Sequence, residues 1–197
     1  MKQVLFIIVA FSFLLQACAS ARQPVHIQLK YEPGDALKIP TSTENQIVNL
    51  RISRIDVSDN RVDKDHLGST DAPIYGSGIN DWVREGILSL SNFGYSLPQT
   101  DAAVDSSGLS LKVNVNRTSC RGSLMHMRCT VYLEVEYYRK KELILRKNYY
   151  GAEMDDRSIL AGTSHFNEDS VLKSLNCALD QCLVKIEDDL RKMNQNF

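Results

Sequence analysis

The run LSLKVNVNRTSCRGSLMHMRCTVYLEVEYYRKKELILRKNYY, residues 109–150, alternates apolar and polar positions over three successive segments. A period of two marks strands with one buried face, so it predicts strands over Leu109–Thr118, Met127–Tyr138 and Leu143–Tyr150. The connections are short enough for antiparallel neighbours, which makes a meander. Outward to the C-terminus, Val171, Leu175, Ala178 or Leu179, Cys182, Ile186, Leu190 and Met193 recur at helical spacing. That stripe predicts a long amphipathic helix beginning near Asn167, a suitable N-cap, with Glu168 and Asp169 favourable in the first turn.

Outward to the N-terminus, Ile79, Trp82, Val83, Ile87, Leu90 and Phe93 predict a helix over 79–93, with Gly94 as its C-cap. Val25, Ile27, Leu29 and Tyr31 alternate as a first strand. Between 46 and 59, Val48, Leu50 and Ile52 share one parity while Ile55 and Val57 take the other, so a long strand with a bulge near Ser53 is expected. Residues 32–43 read as a loop and Asp59–Gly78 as a polar connection, with Gly76-Ser77-Gly78 as a hinge. The layer rule then predicts a single α+β domain over 25–197: a mixed or antiparallel sheet of four to five strands with both helices packed on one face.

The start of the chain addresses its destination. Lys2 precedes an apolar run from Val4 to Leu15, too short to span a bilayer as a helix and fitting the core of a signal peptide. The run closes on Leu15-Gln16-Ala17-Cys18, which resembles the lipobox of bacterial lipoproteins, whose cysteine is acylated and becomes the new N-terminus. Residues 1–17 are thus expected to be a lipoprotein signal peptide, Cys18 the lipidation site and 18–24 a short tether, with the domain facing the periplasm. Ala19 follows the cysteine, where inner-membrane members carry Asp, so the resemblance implies the outer membrane. Cleavage removes Lys2 and takes the formal net charge from -1 to -2. A near-neutral chain gives no electrostatic reason to expect nucleic acid or an anionic membrane face as partner.

Four cysteines remain after lipidation, and an oxidising compartment permits disulfides. Cys120 and Cys129 flank the first meander turn and are the candidate disulfide, although either could pair with Cys177 or Cys182 instead. Cys177 and Cys182 are five apart on one helix, about 8 to 9 Å between Cα atoms, too far to bond to each other. Cys120, Met125, His126, Met127 and Cys129 are also the one cluster of soft ligands in the sequence, of the kind that suits copper or zinc. In an extended segment, however, His126 and the methionines point to opposite sides, and no metal or other cofactor is expected. Asp59 and Arg61 stand two apart past a strand, either as a structural pair or as a contact with a partner protein. His26, His66 and His165 belong to no recognisable catalytic motif, so no enzymatic residue is assigned.

The segment Ile55-Asp56-Val57-Ser58-Asp59-Asn60-Arg61, the later Leu67-Gly68, and the helix ending in Phe93-Gly94-Tyr95 resemble the YajG-like bacterial lipoproteins. Members of that family run an apolar strand into Asp-x-Arg, then a Leu-Gly, then an amphipathic helix closing on Gly and an aromatic residue. The four mature cysteines depart from the family pattern. The resemblance implies an envelope location and this architecture rather than a reaction. The expected function is a non-enzymatic, membrane-anchored binding or structural module with an envelope protein as partner. The alternatives are an auxiliary lipoprotein of an ABC-type lipid transport system and a periplasmic copper or zinc binder.

Overall fold

The computed structural model describes residues 23–34, 37, 50–70, 72–98, 108–122, 126–156 and 166–195. Cys18, residues 46–49, Met125 and His165 lie outside them. The described elements are β1 (Val25–Gln28), β2 (Ile52–Asp59), β3 (His66–Ser69), β4 (Pro73–Ser77), α1 (Ile79–Leu88), β5 (Leu109–Gly122), β6 (His126–Arg139), β7 (Glu142–Asp156) and α2 (Glu168–Gln195). A 3-10 turn, Ser89–Phe93, prolongs α1 and stops at Gly94, which is in the left-handed conformation.

These strands form one mixed, seven-stranded sheet in an α+β domain. The expectation of four to five strands is therefore too low. The polar connection Asp59–Gly78 holds β3 and β4, strands of four and five residues that are too short for alternation to show. The expected hinge at Gly76-Ser77 is the end of β4.

β5 organises the sheet. On one side it pairs antiparallel with β6 along its whole length, and β6 pairs likewise with β7. Its other side is divided between two parallel partners, β2 along Leu109–Val115 and β3 at Cys120 and Arg121. β4 and β1 then continue outward from β3. The β2–β5 register shifts between Ile52 and Arg54, around Ser53, which moves the apolar parity from Ile52 to Ile55. Gly68, at φ 116°, lies so close to the Cys120 carbonyl that a Cβ there would collide with it, so the Leu67-Gly68 pair combines a buried anchor with a position that only glycine fills.

Both helices cover the same face. α2 packs on β6 and β7 and reaches β1, while α1 packs on β2 and against α2. Val113, Val131, Leu133, Val135, Trp82, Leu175, Leu183 and Ile186 are all buried in the layer between them. Asn167 caps α2 by accepting from Ser170 N at 3.0 Å, and Ser170 Oγ accepts from Asn167 N in return. Several polar groups in this layer are paired, whereas Thr118 Oγ1 is buried with no hydrogen-bond partner among the described residues. Trp82 Nε1 donates to Asn176 at 2.7 Å, and Asp180 accepts from Tyr31 Oη at 2.7 Å and from Gly34 N at 2.8 Å, fixing the chain that leaves β1 onto α2.

Candidate functional site

The sequence-predicted residues are distributed as follows. Asp59 and Arg61 form a two-pronged pair, Nε to Oδ1 and Nη2 to Oδ2 at 2.9 Å each, and Arg61 also donates to the Lys64 carbonyl. The arginine side chain is 5% exposed and the aspartate 12%, so the pair pins the turn between β2 and β3 from within and offers little surface to a partner. Cys120 and Cys129 are directly opposed on β5 and β6 and joined by a disulfide on the helix-covered face. His126 is exposed and bonds through Nδ1 to Asp156 at 2.8 Å. The cluster that offered soft ligands is thus dispersed. The two sulfurs bond to each other, and no group of three metal-type ligands occurs among the described residues. Cys177 and Cys182 are in no disulfide, and burial pushes the Cys182 thiol up to about 12, against a smaller opposing effect of Lys185.

The sheet face turned away from the helices carries a feature that the sequence reading did not anticipate. Its end formed by late β5 and early β6 holds an open cleft of about 480 Å³. β5 contributes Arg117, Ser119 and Arg121; β6 contributes Arg128, Thr130 and Tyr132; Tyr150 of β7 closes one side. Alternation places them together, because Thr118, Cys120, Cys129 and Val131 between them are buried on the other face. A bulge between Val115 and Arg117 shifts the parity of β5 and turns Arg117 outward opposite Tyr132. Without that extra residue, Arg117 and Arg121 would point into the core.

Charge distinguishes this end of the face from the rest. Elsewhere on it, cations are neutralised: Glu136 holds Arg146 at 2.5 Å and Lys112 at 3.4 Å, and Arg54 meets Asp56 at 2.7 Å. The Glu136 carboxyl is held below its ordinary range, first by the Tyr138 hydroxyl and then by Arg146 and Lys112. In the cleft, by contrast, no acidic side chain is among the lining residues, and none of the three guanidinium groups forms an ion pair among the described residues. Arg128 donates to the Tyr150 hydroxyl at 3.1 Å. Arg121 and Arg128 are direct cross-strand partners, and like charges in that position destabilise a sheet. The arrangement suits an anion bridging the two, since guanidinium groups match the oxygens of phosphate or carboxylate in paired hydrogen bonds.

The signal was present in the sequence, since the registration Cys120 opposite Cys129 also sets Arg121 opposite Arg128 and Ser119 opposite Thr130. Formal net charge conceals it, because it averages this end of the sheet with the paired remainder.

No family model and no curated protein matches the chain. Among solved structures, the chain is similar to protein XCC0632 from Xanthomonas campestris, of the DUF330 family. The TM-score is 0.53 at 10% identity over 88% of this chain and 98% of that one. A minor lipoprotein from Acinetobacter baumannii is more loosely similar, with a TM-score of 0.44 at 12% identity over 75% of this chain and 94% of that one. The first likeness is one of fold alone.

Proposed function

We propose that the chain is a non-enzymatic binding module of the bacterial envelope, anchored to the outer membrane through Cys18, which recognises an anionic group in the cleft on its open sheet face. One observation carries this reading: three arginines and two tyrosines converge there with no carboxylate among them. The signal-like segment before Cys18 and the likeness of Ile55–Arg61, Leu67-Gly68 and Phe93–Tyr95 to YajG-like lipoproteins support the location. An envelope protein is the expected partner class, and Asp59 and Arg61, turned inward, offer it little surface.

The test is calorimetric titration of the mature lipidated protein in neutral detergent with inorganic phosphate, sulfate, glycerol phosphate and acetate. Saturable binding is expected for at least one of these anions, weakened about tenfold by Arg128→Gln, which removes one charge-assisted bond. Absence of saturable binding by every anion overturns the proposal.

A further inference from the structure

The strand pairings place the cleft relative to the membrane. Val25 pairs with Ile74, Ile74 with Gly68, Gly68 with Cys120, and Cys120 with Cys129, so the first residue of β1 shares a lateral row with the floor of the cleft. Three inter-strand steps separate Val25 from Cys120, about 15 Å at the usual strand spacing. β1 runs parallel to β4, β4 antiparallel to β3, and β3 parallel to β5. β1 is therefore antiparallel to β5, and the chain arriving from Cys18 enters the sheet at the end where Arg121 lies. Six residues, Ala19 to Pro24, separate Cys18 from Val25, and the seven Cα-to-Cα steps span at most roughly 25 Å when extended.

We infer that the cleft binds the phosphate of an anionic phospholipid headgroup in the membrane to which the protein is tethered. This rests on the proposed lipidation of Cys18 and on the proposed anion cleft. Arg121 and Arg128 supply the phosphate contacts. Tyr150 and Met154, 44% and 56% exposed on β7, flank Arg128 with the kind of half-apolar rim that settles at a headgroup boundary. Attraction of the arginines to an anionic surface is confined to about a Debye length, and a tether of this length allows this end of the sheet to come within that range. A small free anion in so open a cleft gains the arginine contacts and nothing more. A headgroup in the anchoring bilayer is instead presented at a high effective concentration. A rival contact, the β6–β7 turn with Lys140, Lys141 and the exposed Leu143 and Ile144, stands at the opposite end of the sheet.

The deciding experiment titrates the mature lipidated protein in neutral detergent with dihexanoyl phosphatidylglycerol, dihexanoyl phosphatidylcholine and inorganic phosphate. Phosphatidylglycerol is expected to bind about tenfold or more tightly than the other two. Arg121→Gln/Arg128→Gln, both exposed and so tolerated by the fold, should weaken it by at least about tenfold, and Lys140→Gln/Lys141→Gln should leave it unchanged. Equal binding of the two lipids, or a cleft variant that binds like the parent, overturns the inference. Inorganic phosphate binding as tightly as phosphatidylglycerol also overturns it, but leaves the anion cleft standing. No binding of any of them removes both. Loss of the tether reading is read separately, from the mass of the N-terminal peptide.

Discussion

Gln181 of α2 lies along the free edge of β7 and bonds both backbone groups of Ala152, accepting from its N–H at 3.1 Å and donating to its carbonyl at 2.8 Å. Among the described residues no strand pairs with this edge, and the side chain takes a strand's place. Lys185 adds a bond to the neighbouring Tyr150 carbonyl. An uncovered edge is a template for pairing with another chain, so this helix does more than fill the core. Gln181→Ala should therefore raise self-association, read as a concentration-dependent sedimentation coefficient, and lower stability by about 1 kcal/mol. A variant that stays monomeric at every concentration would show that the edge is protected by other means.

A second group of contacts ties β6 and β7 to α2. Asp189 accepts from Lys147 at 2.7 Å and from Tyr149 Oη at 2.7 Å, and Tyr137 and Tyr149 hydroxyls meet at 2.6 Å. Burial pushes the Asp189 carboxyl upward, but the bonds from Lys147 and Tyr149 outweigh it and hold it below its ordinary range. A carboxylate depressed on folding contributes stability that is fully present above its unfolded value near 3.8 and is lost as pH falls through the lower folded value. Asp189→Asn should cost about 1 to 3 kcal/mol at neutral pH and flatten the acid limb of the stability profile. Urea unfolding from neutral to acid pH measures both effects. A parallel downward displacement of the whole curve would assign the loss to packing.

Elements whose apolar residues repeat were legible, and β3 and β4 were not. The α2 stripe spans so many turns that its periodicity leaves no second interpretation, and Leu175 and Ile186 are fully buried in the structure. Placing a charge there without a partner, as in Leu175→Asp or Ile186→Asp, is expected to cost several kcal/mol, about 3 or more, in chemical denaturation. The β3 and β4 strands escaped because a strand of four residues, His-Leu-Gly-Ser, shows one apolar position and hence no period. Their place is set by β5, through Gly68 against Cys120, which is a tertiary fact. The cleft escaped for a related reason: its arginines are ordinary surface residues in each strand and become a cluster only across strands.

The membrane half of the proposal stands or falls on Cys18. Among the described residues no helix is long and apolar enough to cross a bilayer. Cys18→Ala is expected to move the protein out of the membrane fraction, with loss of palmitate labelling, because two or more acyl chains are needed for stable anchoring and Cys18 is the residue proposed to carry them. Single arginine–headgroup contacts at physiological salt are too weak to replace them. Unchanged sedimentation with membranes after the substitution would sink the anchoring role.

The disulfide underlies the cleft, since Cys120 lies between Ser119 and Arg121, and Cys129 between Arg128 and Thr130. Closing a loop with sequence separation 9 stabilises by about 2 to 3 kcal/mol on the chain-entropy account. Cys120→Ala/Cys129→Ala should lower the unfolding free energy by that order. It should also loosen the register that holds Arg121 opposite Arg128, so that anion affinity falls even where the domain remains folded. Peptide mapping of unreduced protein from the envelope is expected to show the Cys120–Cys129 pair. Two free thiols there, together with stoichiometric copper or zinc, would reverse the assignment. They would make Cys120 and Cys129 ligands and bring back His126 as the third, which requires the edge of β6 to rotate His126 from the open face to the buried one.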